Sequence, residues 1–276
     1  MYGQGKWSLN TIPAFCVTLD RRSDRWKHFQ SQPEFPKISG NLKKFIGVDG
    51  ANLNIAGDDR ICLSTKRNII NKTRRSHEEL NSVGGVGCAL SHIALWKYVA
   101  ESEHDIVLIF EDDAYIPEGI IDKMNNTIKN SSHLQNIENW DILLLGCRVL
   151  EESGNTAQES DIGNIEIFNG TYAYIMTKHC ARRLLEHVYP VHCHIDLWIT
   201  IFKKVFGCRI VHLKEHKILH TDLVSEIRIT NRCDICNVPT RYEKSHIIVN
   251  KIDWGIARIA EVAILIMLIK YLIRKL

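Results

Sequence analysis

The segment that most constrains the fold is an apolar run that ends in acid. Ile106, Val107, Leu108, Ile109 and Phe110 follow one another without a polar residue and stop at Glu111, Asp112 and Asp113. Five apolar residues without alternation read as a buried strand. Comparable runs recur at 12–19, 44–48, 141–145, 171–176 and 209–213, and segments of helical period lie between them at 24–30, 86–100, 118–129, 178–188 and 196–205, the fourth with Thr177 as its N-cap. Strands alternating with helices predict an α/β sheet with helices on its faces.

Length and charge narrow the partners. A chain of 276 residues that is 45% hydrophobic and 24% charged is neither disordered nor a multi-span membrane protein. With 35 basic against 32 acidic residues, the net charge of +3 is too small for a phosphate-backbone footprint, so nucleic acid is not an expected partner. Nine cysteines at irregular spacings read as mostly free thiols in a reducing compartment. Residues 1–10 are polar, and the apolar stretch after them runs into charge without a cleavage site, so no signal peptide is expected and a cytoplasmic placement follows.

Two long segments fit neither period: 52–82, a polar and basic insertion, and 151–163, which is acidic. The C-terminus differs from both. Eight apolar residues at 262–269 lie within a helix-like segment, 251–276, that also carries Arg258, Glu261 and Lys270. It reads as a C-terminal hydrophobic helix, either core or membrane-associated. The domain expectation is therefore 1–250 as one catalytic-type unit and 251–276 as that helix.

The chemistry gathers at strand ends, where ligands of open α/β sheets sit. Glu111, Asp112 and Asp113 repel one another there and call for a compensating cation. Hard oxygen ligands of this kind suit Mg²⁺ or Mn²⁺ with substrate phosphates. After the first strand come Asp20, Arg21, Arg22, Asp24 and Arg25, whose guanidinium groups and helix N-terminus favour phosphate. Asp49 and Gly50 close the second strand; the acid can accept from ribose hydroxyls, or the pair can be a plain turn. Gly84, Gly85 and Gly87 open a helix that carries Ser91 and His92 on its first turns. No glycine-rich dinucleotide loop follows the first strand, which argues against a dehydrogenase.

Taken in order, these motifs resemble glycosyltransferase family 25, which includes bacterial lipooligosaccharide and collagen hydroxylysine galactosyltransferases. The resemblance rests on Leu19-Asp20-Arg21 with Asp24-Arg25, Val48-Asp49-Gly50, Gly87-Cys88 with Leu90-Ser91-His92, Glu111 to Asp113, Tyr172 and Tyr174, Asp196, and His220 with Asp222. It spans about 12–230 and departs at Thr18, where the family has Asn, and at His220, where it has Gln. The resemblance implies a GT-A type, Rossmann-like mixed sheet and an inverting transfer of galactose or glucose from a UDP-sugar to a hydroxyl of a glycan or protein acceptor. It also implies a divalent cation, Mn²⁺ or Mg²⁺.

On that resemblance Glu111 and Asp113 hold the metal, with His220 as a further ligand. Asp20, Arg21, Arg25, Asp49, Ser91 and Asp112 bind the donor, and Asp196 is the general base, with Asp222 as alternate. Two other classes stay open: a non-catalytic nucleotide-sugar binder on the same fold, and a metal-dependent phosphoesterase or nucleotidyltransferase. Cys233 and Cys236 invite a zinc reading but lack a second pair of ligands at structural spacing.

Overall fold

A computed structural model describes residues 6–73, 79–153, 160–221, 259–260, 262–271 and 273. The strands are β1 (Ala14–Thr18), β2 (Leu42–Ile46), β3 (Ile106–Glu111), β4 (Ala114–Tyr115), β5 (Ile142–Glu152), β6 (Ile162–Thr177), β7 (Ile210–Leu213) and β8 (Leu219–His220). The helices are α1 (Ser23–Gln30), α2 (Phe35–Ile38), α3 (Leu63–Asn71), α4 (Val83–Glu101), α5 (Ile120–Asn130), α6 (Ser132–Gln135), α7 (Lys178–Leu185) and α8 (Ile195–Phe206).

Six strands form one sheet in the order β2-β1-β3-β6-β5-β7. All run parallel except β6, which is antiparallel to both β3 and β5. The α/β sheet is what the alternation of apolar and helical segments leads to; the mixed sheet is what the resemblance implies, and β6 is reversed where it follows β5 with no helix between them among the described residues. The chain leaves β1 towards β2 on one side and returns to β3 on the other, so the carboxyl ends of β1 and β3 flank a topological switch point, where open sheets bind ligands.

Strand alternation explains the two cores. Ile106, Leu108 and Phe110 of β3 face α1 and α5, packing with Phe29, Ile121 and Met124. Val107 and Ile109 face α4, α7 and α8, packing with Ile93, Trp96, Leu184 and Phe202. The next residue of the second set in register is Glu111, so period two sends its carboxylate to the α4 side.

Helix α4 starts at Ser82, whose hydroxyl accepts the Gly85 N–H at 3.1 Å. Glycine inside a helix costs about 1 kcal/mol relative to alanine. At Gly87 a close approach accounts for it: a Cβ there would stand 2.7 Å from Gly50 N and from Val48 O. Ser91 completes the seam, accepting the Val48 N–H at 2.8 Å and donating to Gly87 O at 2.6 Å. The turn after β2 is thereby fastened onto the start of α4.

The insertion expected over 52–82 is partly structured, containing α3 with Thr65 and Asn68 buried. The acidic segment 151–163 contains the end of β5 and the start of β6, which pair from Glu152↔Ile165 onward. Two compact units divide the chain, Met1–Lys72 with Glu78–Asn231 and Thr73–His77 with Arg232–Leu276. Within the second unit, residues 259–260, 262–271 and 273 of the expected C-terminal segment are helical. Among the described residues no helix is long and apolar enough to cross a membrane.

Candidate functional site

A cleft of about 380 Å³ opens at the carboxyl ends of β1, β2 and β3. Its walls are Val17 to Leu19 from β1, Val48 to Ala51 from the turn after β2, Ile69 and Lys72 from α3, Ser82 to Gly84 with Cys88, Ser91 and His92 from α4, and Glu111 to Asp113 from β3. One side is apolar, through Val17, Val48, Ala51, Ile69 and Val83, and the floor is charged.

The charged floor is built around Arg25. This side chain lies on the same face of α1 as Phe29, one helical turn on, and both are buried. Its Nη2 reaches Asp112 Oδ1 at 2.9 Å and also pairs with Asp113 Oδ2. Part of the compensating charge that the acids require is thus supplied within the chain. Compensation is unequal. Burial pushes Asp112 up to about 6 against the pull of Arg25 and Thr18. Burial acts on Asp113 too, but His220 and Arg25 outweigh it and hold that carboxyl below the usual range. His220 arrives because β4 and β8 pair Ala114 with His220, which brings its Nε2 within 3.4 Å of Asp113 Oδ2.

Two buried polar atoms at this floor make no hydrogen bond, Arg25 Nε and Asp113 Oδ1. An ionised carboxylate oxygen buried without a partner is costly and is the kind of donor a hard cation takes. Asp113 therefore fits a hard divalent cation, whereas Glu111, expected as a ligand of the same ion, is turned to the α4 side by strand alternation.

Glu111 projects towards α4 and meets a second group of side chains. Thr171 donates its hydroxyl hydrogen to Glu111 Oε1, and His92 Nε2 stands 3.4 Å from the same oxygen. The other ring nitrogen, Nδ1, is 2.9 Å from the Tyr174 hydroxyl, which also accepts the Trp96 indole N–H at 2.9 Å. Cys88 and His92, four residues apart, share one face of α4, and together with Glu111 they bring Sγ, a ring nitrogen and a carboxylate oxygen within 4.8 Å of one another. Cys88 belongs to the motif that carries the resemblance, but no ligand role is expected of it from the sequence. The i,i+4 Cys–His spacing was the available signal, but Glu111 joins it only through the strand register.

The remaining expected residues divide. Arg21 and Asp49 meet at the rim, Nε to Oδ2 at 2.5 Å, and Asp49 also accepts the Ala51 N–H at 3.1 Å, so this acid is turn-former and ion pair at once. The Arg21 hydrogen bond holds its carboxyl below the usual range. Asp20 does not join them: it is outside the cleft lining, largely exposed and 3.6 Å from Lys44 Nζ, because it lies beyond the strand end where the chain turns outward. Ser91 lines the cleft, and its hydroxyl engages the Val48 amide and the Gly87 carbonyl.

Asp196 lies in the first turn of α8, where its carboxylate accepts the N–H groups of Gly170 at 2.8 Å and Leu197 at 2.7 Å. It is outside the cleft lining yet near enough for its field to raise both the Cys88 thiol and the Tyr172 phenol, each shifted chiefly by burial. Asp222, Cys233 and Cys236 lie outside the described residues.

Comparison with known proteins bears on this site. The family model described as "Glycosyltransferase family 25 (LPS biosynthesis protein)" matches residues 11–199. A "Glycosyltransferase 25 family member" of Drosophila pseudoobscura pseudoobscura is 24% identical over 215 residues, covering 72% of this chain and 33% of the relative. A protein of the same name from Drosophila melanogaster is 24% identical over 184 residues, covering 66% of this chain and 28% of the relative. An "Inactive glycosyltransferase 25 family member 3" of Homo sapiens is 27% identical over 178 residues, covering 62% of this chain and 28% of the relative. The chain thus spans about a third or less of the length of the curated relatives it matches.

Proposed function

This chain belongs to glycosyltransferase family 25, and from that premise we propose that it moves a hexose, galactose or glucose, from a UDP-sugar to a hydroxyl of a glycan or protein acceptor, with inversion. The observation that carries the reading is the buried acidic floor at the switch point of the sheet, where Asp113 Oδ1 has no partner. Asp113 and His220 would hold a Mn²⁺ or Mg²⁺ ion, with Glu111 turned away to the α4 side. When bound, such an ion neutralises the charge that develops on the leaving diphosphate.

The chain's own groups do the rest. The apolar wall of Val17, Val48, Ala51, Ile69 and Val83 suits the uracil ring and ribose carbons. Arg21 at the rim and Arg25 in the floor offer guanidinium donors to phosphate oxygens. Asp112, held by Arg25, faces the ribose. Inversion takes a single displacement, so one base must remove the proton of the incoming hydroxyl. Asp196 fills that role: the amides of Gly170 and Leu197 fix its rotamer, and each carboxylate oxygen keeps a lone pair for the acceptor.

A second reading, a non-catalytic nucleotide-sugar binder on the same fold, draws support from the human relative named inactive. One experiment separates the two. Thermal stability is measured with a panel of UDP-sugars, with and without Mn²⁺, alongside hydrolysis of each donor. The expected result is a Mn²⁺-dependent rise in Tm with at least one UDP-sugar, lost in Asp113→Asn, together with donor hydrolysis that falls in Asp196→Asn. A Tm rise without hydrolysis or transfer points to the binder. No shift with any nucleotide sugar refutes both.

A further inference from the structure

Beside the hard-oxygen floor stands a donor set of different chemistry. Cys88 offers a sulfur, His92 an imidazole nitrogen and Glu111 a carboxylate oxygen, all lining the cleft and all within 4.8 Å of one another. His92 is 1% exposed, and its Nε2 makes no hydrogen bond. A buried ring nitrogen turned towards a carboxylate oxygen 3.4 Å away, with nothing donated between them, is a gap that a cation fills. Two ligands each about 2.1 Å from a tetrahedral ion stand about 3.4 Å apart, so Nε2 and Oε1 are already at ligating separation.

We propose that Cys88 Sγ, His92 Nε2 and Glu111 Oε1 form a three-ligand site for a thiophilic divalent ion, Zn²⁺ ahead of Mn²⁺ or Mg²⁺, with its fourth position open to the cleft. Thiolate and imidazole select zinc-like ions, and the affinity order of divalent metals places Zn²⁺ above Mn²⁺ at such a set. Three protein ligands with one open position is the arrangement of a reactive zinc site, in which water or a substrate oxygen completes the shell. The outer shell is present as well. Tyr174 lies 2.9 Å from His92 Nδ1, so that with metal on Nε2 the ring donates Nδ1–H to the phenol oxygen. Thr171 donates to Glu111 Oε1 and fixes the carboxylate's orientation, leaving that oxygen a second lone pair. Binding replaces the thiol proton with the ion and releases that proton to solvent.

This site stands on residues apart from Asp113 and His220, and does not depend on the transfer reaction. The test is Co²⁺ titration of the metal-free 276-residue chain, read by absorbance, because a cobalt–thiolate bond gives a charge-transfer band in the near ultraviolet that nitrogen and oxygen ligands do not. The expected result is a band that saturates at one equivalent and is displaced by Zn²⁺. It should persist in Asp113→Asn and vanish in Cys88→Ser, with Co²⁺ affinity lower by on the order of 100-fold in the latter. Cys88→Ala replaces the serine variant if that one fails to fold by circular dichroism. No thiolate band in the native protein overturns the proposal, and so does a band that survives loss of Cys88, since the sulfur would then come from another cysteine. Loss of the band in Asp113→Asn, with fold intact, would merge this site with the acidic floor and overturn it as well. Absence of sugar transfer would leave the cobalt result unchanged.

Discussion

Replacing Arg25 by methionine tests the electrostatics of the cleft floor. Methionine keeps the apolar stem that packs on the α1 side and removes the guanidinium that joins Asp112 to Asp113. All three side chains are less than 10% exposed, so the loss leaves two buried carboxylates without their main counter-charge. Breaking a buried pair by removing one partner costs about 3–5 kcal/mol. Asp112 already titrates at about 6 with Arg25 present. Without it the carboxyl takes up a proton at neutral pH, which relieves about 1.4 kcal/mol for each pH unit and holds the loss near 3 kcal/mol at pH 7. At about 2–4 °C per kcal/mol for a chain of this class, Tm falls by about 6–12 °C. The sign with pH follows. Asp112 binds its proton more tightly folded than unfolded, so raising pH from 6 to 8 lowers stability, more steeply in the variant than in the native chain. The assay is circular dichroism melting of both proteins in chelator at pH 6 and pH 8, then with Mn²⁺. A cation at the floor replaces the missing charge, so Mn²⁺ should restore more of Tm in the variant than it adds to the native protein. Native Tm in Arg25→Met at both pH values would refute the reasoning, since the acids would then be either solvated or neutral.

Other consequences can be measured directly. Gly87→Ala forces a methyl against Gly50 N and Val48 O at 2.7 Å, backbone atoms that cannot rotate away, so urea denaturation should report a loss of about 1–3 kcal/mol and UDP binding should weaken as the Asp49 turn shifts. Ser91→Ala strips the Val48 amide of its acceptor and should cost about 1–3 kcal/mol in the same titration, which a direct donor contact alone would not do. Burial holds His212 below its usual value, with Glu152 at 3.0 Å opposing. The folded protein thus binds the His212 proton less readily than the unfolded chain, and the stability this provides is complete above about pH 6.5 and drains away as pH falls through the lowered value. His212→Gln should flatten that part of the pH–stability curve; an unchanged slope would place the titration elsewhere.

The sequence exposed the frame of this site but not its wiring, for physical reasons that differ from residue to residue. The six strands of the main sheet and the five helices expected from period are present, because apolar runs and helical spacing record which faces must be buried. The trio Glu111, Asp112 and Asp113 was legible as a site because consecutive acids at a strand end are costly in any environment. What offsets that cost was not legible: Arg25 lies about ninety positions away and reaches the trio only through the α1–β3 packing that seats Phe29 against Phe110. Helix α3 was missed because its buried residues include polar Thr65 and Asn68, the latter donating to Glu79 Oε2 at 2.9 Å, so its buried face is satisfied by hydrogen bonds and leaves no hydrophobic stripe to read. Glu111 joins both limits. Its position at the end of β3 follows from the sequence, but the parity that turns it to α4, away from Arg25, depends on where the strand begins, and a shift of one residue would have exchanged its partners with those of Asp112. That Glu111 meets His92 and Thr171 while Asp112 and Asp113 meet Arg25 is therefore a consequence of β-sheet register.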